Sequence, residues 1–465
     1  MKKAWELEYE VFMNAKPVVL SEEEQTWDAA AAFENLSNIS YKMKWNSNVP
    51  GSGAPEKVIV GAVQSMENMG YDVTVAEELM HRGLKAYQED DLLSLIRITN
   101  ELWYTFGKLP KVAGHKYFNY KVYNAFDEYL EKVSFPDKEF VDVESKEFFK
   151  SIYNGWLAQF VGGAFGTALE GYTSENLFKT FGEVRDYIRK PNTYNDDVTY
   201  EIAFLEAFFK KGYSVESKDI ALEWVALVPF GWSAEEIALK NIEAGIFPPE
   251  SGYFNNPYRE WIGAQMRGAI CGMVAPGDLK TAAELAFKDG VVSHHNNGVL
   301  GEVFNALMVS MAFIEKDVRK IVKECIELIP NDSEYYSIIK KSYDVSLKHK
   351  TWQSAWEELV PDFKEYNWIH AYPNAAAEVV ALWFGNGDFN ETLYITGMIG
   401  YDVDCNAAQI MTIIGIIDKA IPSKWSDPIG EKINTYCRKY KETSFKELTN
   451  WTITSIIKNL SNSKN

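Results

Sequence analysis

Two acidic clusters lie far apart in this chain and sit in matching local contexts. The first is Asn195-Asp196-Asp197, and the second is Asp402-Val403-Asp404-Cys405-Asn406. Each opens a run with helical apolar spacing. Val198, Ile202, Leu205 and Phe209 follow the first, and Ile410, Ile414 and Ile417 follow the second. Two such helices side by side would gather four carboxylates at one end of a bundle. Like charges that close repel unless a cation sits among them. Hard divalent cations prefer oxygen ligands, so a Mg²⁺ or Mn²⁺ site is the pointed reading. Asp and Asn are also ordinary helix N-caps, favoured by the positive end of the helix dipole. One cluster alone therefore reads first as a cap, whereas the pair together with the segments below reads as a metal site.

Four further segments carry side chains of interest. Gly155, Gly162, Gly163 and Gly166 recur along a helical stretch that ends in Glu170. Small residues there allow another backbone or a ligand to approach closely; the competing reading is a tightly packed core helix with a solvated Glu at its end. Arg259 and Arg267 follow Asn256-Pro257-Tyr258, and in so acidic a chain they are expected to pair with acids rather than with phosphates. Ser293-His294-His295-Asn296-Asn297-Gly298 places polar groups and a glycine at a helix start. Free N–H groups there suit a phosphate or ribose, although capping is the plainer reading. Finally, Asn374 opens a helix after His370-Ala371-Tyr372-Pro373, and Gly385-Asn386-Gly387-Asp388 is a turn.

The elements that must position these residues are helical. Apolar periodicity predicts helices over Glu56–Met69, Val75–Gln88, Asp91–Phe106, Phe148–Leu169, Val198–Lys211, Ser233–Ala244, Leu279–Asp289, Leu300–Ile314, Val318–Leu328, Asn374–Trp383 and Asn406–Ile417. Pro55 reads as a start signal for the first, and Gly212 as the residue closing the Val198 helix. No series of alternating strands stands out, so the fold is expected to be all-α. Residues 45–55 read as a flexible loop, and residues 460–465 as a polar tail that frays. A break near Pro136 suggests a helical N-terminal region (1–145), a catalytic domain (146–440) and a C-terminal extension (441–465).

Composition narrows the classes. The chain has 465 residues, 46% hydrophobic and 24% charged, which is ordinary for a globular protein. Its 66 acidic residues against 47 basic ones give a formal charge of -19. That argues against nonspecific binding to nucleic acid or to anionic membranes. The four cysteines, Cys271, Cys325, Cys405 and Cys437, show no CxxC pairing. With an acidic N-terminus lacking an apolar signal core, they suggest a reduced, cytoplasmic protein. No apolar stretch is long enough to span a membrane.

Taken in order, Gly155…Gly166…Glu170, Asn195-Asp196-Asp197, Ser293-His294…Gly298, Pro373-Asn374-Ala375 and Gly400-Tyr401-Asp402-Val403-Asp404-Cys405-Asn406 resemble the ADP-ribosylglycohydrolase family. This is the family of the dinitrogenase reductase-activating glycohydrolase. The resemblance covers about residues 150–425 and is nearest a bacterial branch with an Asp-x-Asp-Cys-Asn motif and an added helical N-terminal region. It implies an all-α orthogonal bundle holding one or two Mg²⁺ or Mn²⁺ ions, and a glycohydrolase that cleaves the N- or O-glycosidic bond of an ADP-ribosylated small molecule or protein. It further implies metal-ligand positions at Asn195, Asp196, Asp197, Asp402, Asp404 and Cys405. Catalytic carboxylates are implied at Glu170, Asp197 and Asp404, and substrate contacts at Ser293, His294, Asn297, Gly298 and Asn374. Asn195 and Cys405 stand where many members carry Thr, and Gly163 where many carry Asp. An N-ribosyl hydrolase of nucleoside-like molecules, or a non-catalytic binding protein on the same fold, are the alternative expectations.

Overall fold

The computed structural model describes residues 1–27 and 29–462. The architecture is all-α, as expected. The strands among the described residues form only three two-stranded antiparallel pairs. No helix among them is long and apolar enough to cross a membrane.

At the centre lie helices Lys146–Gly166, Asp196–Lys211, Asn297–Met311, Ala371–Gly385 and Val403–Asp418, each buried along most of its length. Helices apolar on nearly every side belong inside a bundle. Amphipathic helices such as Leu279–Gly290, Val318–Ile326 and Glu334–Lys348 surround them. Pro373 falls in the first turn of Ala371–Gly385, where its missing N–H costs no helical hydrogen bond.

The Lys146–Gly166 and Val403–Asp418 helices touch backbone to backbone. A methyl group on Gly162 would lie 2.4 Å from the Ala407 carbonyl oxygen, and one on Gly166 would lie 2.3 Å from Asp404 Cα and N. Interior glycine costs a helix about 1 kcal/mol relative to alanine. Here it permits the approach that sets Asp404 against the end of the glycine-rich helix.

The N-terminal region has a second core, formed by Ala30–Trp45, Val58–Asn68, Thr74–Gln88 and Leu92–Phe106 around the fully buried Trp45. The Trp45 indole N–H donates to Thr99 Oγ1 at 2.8 Å. Tyr258 and Trp261 of the main bundle join this core. The Trp261 indole N–H donates to Ser65 Oγ at 2.7 Å, and the Tyr258 hydroxyl to the Val58 carbonyl at 3.1 Å. Tyr123, Tyr129 and Val133 sit in the main core, so the chain wraps the bundle before entering it.

Several expected boundaries shift. Pro55 does not start a helix: Pro55–Glu56 pairs with Ser47–Asn48 as a short hairpin, and the helix begins at Val58. The segment read as a loop from 45 is thus partly ordered by that pairing. Asp196 and Asp197 are already helical, and so are Val403 to Cys405, because the acids themselves occupy the first turns. Gly212 closes the Asp196 helix at φ +62°, as expected. The expected fraying tail is instead helical to Asn462, in the helix Phe445–Asn462; residues 463–465 lie outside the described residues. That helix joins the main core through Phe445, Leu448 and Ile456.

Candidate metal centre

The two acidic clusters meet. Among the described residues, ligand atoms of Asp402, Asp404 and Cys405 lie within 4.8 Å of one another. The Cys405 thiol donates to Asp197 Oδ1 at 3.3 Å, which ties the start of one acidic helix to that of the other.

Each acid is held by its own local device. Asn195 caps the first helix, its Oδ1 accepting from the Val198 N–H at 3.3 Å. A methyl on Gly163 would lie 2.7 Å from Asn195 Nδ2, so the Asn195 amide occupies the space a side chain at 163 would need. Glu170 follows the glycine-rich helix by one tight turn, its N–H donating to the Gly166 carbonyl. The next residue, Gly171, donates to the Tyr401 carbonyl at 2.8 Å, and Tyr172 and Thr173 pair with Tyr401 and Gly400. This short pairing holds Glu170 beside Asp402. Asn374 braces the second cluster. Its Oδ1 accepts from the Asp402 N–H at 3.1 Å and from Asn406 Nδ2 at 2.8 Å, while its Nδ2 donates to the carbonyls of Trp368 and His370.

The electrostatics are those of acids without a counter-charge. Asp197 Oδ2, Asp402 Oδ1 and Asp404 Oδ1 are buried oxygens without a hydrogen-bond partner. Burial, then the Asp404 and Asp402 charges, pushes Glu170 well above the usual carboxylate range. Burial, then Asp196 and Asp404, does the same to Asp197, and burial and Asp404 to Asp402. Burial also raises Asp404. Asp196 stands at the rim, open to solvent on one side and packed by protein on the other; burial and Asp404 push it up to about 6. No positive side chain figures among the influences on these five groups. Orphaned carboxylate oxygens converging in this way fit a hard divalent cation, which would supply the missing charge.

Cys405 fits less well as a ligand. Burial and the surrounding aspartates raise its pKa well above the usual thiol value. It is therefore a neutral donor to Asp197 rather than a thiolate, and a neutral thiol is a poor partner for Mg²⁺.

The expected substrate contacts are engaged by the chain itself. Ser293, Asn297 and Gly298 are buried within a separate network. Ser293 Oγ lies 2.7 Å from His294 Nδ1 and accepts from Arg267 at 3.1 Å. Asn297 Nδ2 donates to Glu260 at 3.2 Å, and its Oδ1 accepts from the Tyr335 N–H. A methyl on Gly298 would lie 2.5 Å from the Arg259 carbonyl, so that helix start is covered by chain. Asn374 spends its hydrogen-bonding capacity on protein. These four residues brace the structure. His294 is fully buried, with Nε2 lacking a hydrogen bond 3.9 Å from Glu235 Oε1. Arg267 pairs with Asp289, Glu235 and Glu302, as the acidic composition suggested.

Sequence reasoning passed over Glu235 and the aromatic rim at Tyr194, Phe230 and Tyr436. Only Tyr194, directly before Asn195, carried a signal in the chain order.

The chain is 24% identical over 287 residues to an uncharacterized protein of Archaeoglobus fulgidus, a match covering 58% of this chain and 89% of that protein. A solved structure titled ADP-ribosylglycohydrolase-related protein complex aligns at 17% identity with a TM-score of 0.46, over 68% of this chain and 99% of that one. The family model for ADP-ribosylglycohydrolase matches residues 144–453, which contain both acidic clusters and Glu170, and the chain belongs to the ADP-ribosylglycohydrolase family.

Proposed function

We propose that this chain is a divalent-cation-dependent glycohydrolase that cleaves the glycosidic bond of an ADP-ribosylated substrate. The observation that carries this reading is the set of buried, partnerless oxygens on Asp197, Asp402 and Asp404, gathered beside Glu170. Family membership supplies the ADP-ribosyl class.

Asp197, Asp402 and Asp404, with Asp196 at the rim, are the residues that would hold Mg²⁺ or Mn²⁺. When bound, such a cation supplies Lewis acidity and a template for hydroxyl groups. The chain's own part is positioning and proton transfer. Cleavage builds oxocarbenium character at the anomeric carbon, and a wall of carboxylates stabilises that positive charge. Glu170 is the candidate proton acceptor from the attacking water. It is buried beside Asp404, and burial with the neighbouring aspartate charges pushes its pKa up, which strengthens it as a proton acceptor. Asn374 and the Tyr172–Tyr401 pairing fix where these acids stand.

The test is calorimetric titration with Mg²⁺ and Mn²⁺, followed by product analysis on a panel of ADP-ribosylated and ribosylated compounds. The reading predicts cation binding and release of ADP-ribose, both lost in Asp404→Ala. Cation-independent turnover, or an Asp404→Ala protein with full activity, would falsify it.

A further inference from the structure

Beside Asp196 the surface carries three aromatic rings joined through the middle one, Tyr436. Tyr194 lies two residues before Asp196 and is 45% exposed. Its ring centroid is 5.1 Å from that of Tyr436, itself 39% exposed; Phe230, 58% exposed, lies 5.5 Å from Tyr436. Neither phenol hydroxyl makes a hydrogen bond among the described residues. The charge on Asp196 helps to raise the Tyr436 hydroxyl above its ordinary value, after burial.

The rings come from three separate segments, and each is pinned. Thr193 Oγ1 donates to the Asn434 carbonyl at 3.1 Å and accepts from the Asn434 N–H at 2.7 Å, which locks the Tyr194 segment to that of Tyr436. The Arg438 N–H donates to the Leu227 carbonyl at 2.8 Å, and its guanidinium to the Val225 carbonyl at 2.9 Å, which locks the Tyr436 segment to the one leading to Phe230. Leaving apolar rings in water forgoes the gain of burying them. Fixed aromatic faces beside an acidic cluster offer a flat ligand a stacking surface already in place.

We propose that Tyr194, Tyr436 and Phe230 form a stacking platform for the leaving group of the substrate, and that this leaving group is a planar heteroaromatic ring. The proposal rests on the acidic cluster being the reacting centre. Position identifies the occupant. In ADP-ribose the adenine is separated from the reacting anomeric carbon by a diphosphate and a second ribose. A ring lying directly beside Asp196 is instead the group bonded to that carbon. In the reaction the C1–N bond breaks with its electron pair passing to the ring nitrogen. The water oxygen bonds to C1 and one water proton passes to Glu170. A cationic ring then leaves neutral. The aromatic faces and the rim carboxylate of Asp196 both favour such a ring before it leaves.

Ligand-observed NMR on the full chain with Mg²⁺ tests this without turnover. The probes are nicotinamide, benzamide and the saturated analogue cyclohexanecarboxamide. The aromatic amides are expected to bind roughly ten-fold tighter than the saturated one. Tyr436→Ala is expected to erase that preference, and Tyr436→Phe to keep it, because the ring and not the hydroxyl is used. Tyr194→Ala and Phe230→Ala are expected to weaken it, with Mg²⁺ affinity unchanged in all four variants. Equal binding of the saturated amide, an unchanged preference in Tyr436→Ala, or a parallel fall in Mg²⁺ affinity would each overturn the platform. Stacking that persists in a protein unable to bind cation or release ADP-ribose overturns the glycohydrolase reading and leaves the platform standing.

Discussion

Two buried acidic regions lie close together in this protein and are built on opposite principles. Around Arg267, the acids Asp289, Glu235 and Glu302 lie within ion-pair reach of one guanidinium, which also faces Trp224 at 4.7 Å. Around the two helix starts, Glu170, Asp196, Asp197, Asp402 and Asp404 gather with no cationic side chain among them. The first region has a counter-charge from the chain itself, although one guanidinium serves three acids and burial still raises Glu235 and Glu302. The second is stable only with protons or a cation from outside, since unpaired buried charge costs several kcal/mol.

That contrast is open to direct attack. The largest effect is expected from Arg267→Met, which strands three buried carboxylates. Urea denaturation should show a loss of about 3–5 kcal/mol. A loss below about 1 kcal/mol would mean that Arg267 is not the counter-charge of its network. Next comes Asp404→Asn, which removes one like charge from the open cluster. Without cation this variant should unfold at the same temperature as the parent or higher. It should also lose the cation-induced gain, which in the parent reaches about 2.7 kcal/mol at a cation concentration 100 times Kd. A variant still stabilised by Mn²⁺ as the parent is would remove the open cluster from consideration as a metal site.

The two regions also differ in how far they could be read from the chain. Asp196, Asp197, Asp402 and Asp404 were legible because each sits at a helix start whose apolar repeat is visible in sequence. The glycine run pointed to close helix contact, and Gly162 and Gly166 make it. The region around Arg267 was less legible. Ser293, Asn297 and Gly298 look like a ligand-ready helix start until the Arg259–Glu260 segment is seen covering it. Nothing local marks which polar residues another segment will bury. Tyr436 and Phe230 were invisible for the same reason, since their place beside Asp196 depends on the Thr193–Asn434 and Arg438–Leu227 hydrogen bonds. The hairpin at Ser47–Glu56 escaped because strands of two residues show no alternation.

Smaller effects sharpen the comparison. Gly166→Ala places a methyl 2.3 Å from Asp404 backbone atoms, which cannot move aside without shifting the helix. A loss of about 1–3 kcal/mol is expected, together with weaker cation binding. Gly155→Ala meets only side chains, Ile416 at 3.0 Å and Met273 at 3.6 Å, and should cost less and leave cation affinity alone. Equal effects on cation binding would detach that helix contact from the centre.

The pH profile separates the regions by titration. Burial and Asp404 push Asp196 up to about 6, and burial pushes Glu235 up to about 7 despite Arg267. A carboxylate raised in the folded state holds its proton more tightly than in the unfolded chain. Its contribution to stability is complete below the unfolded value and is lost as pH rises through the folded one. Chelator-treated protein should therefore lose stability from about pH 4 upward through about pH 7. Saturating Mg²⁺ should flatten the part of that slope that comes from Asp196 and the other raised acids of the open cluster, and spare the part from Glu235. A slope indifferent to Mg²⁺ would show that the open cluster does not take the cation.

The smallest change expected is also the most pointed about ligand chemistry. Cys405 sits within reach of Asp402 and Asp404, yet its thiol donates to Asp197. If it acts only as that donor, Cys405→Ser replaces one donor by another of similar reach. Stability should change by less than about 1 kcal/mol, the net worth of a typical hydrogen bond. Affinity for Mg²⁺ should hold, and so should affinity for Cd²⁺, because no sulfur ligand is lost. A thiolate ligand predicts otherwise, since soft cations favour sulfur and the serine variant would lose Cd²⁺ affinity selectively. Parallel titrations of parent and variant with the two cations decide whether the open cluster is an all-oxygen site or one that borrows sulfur.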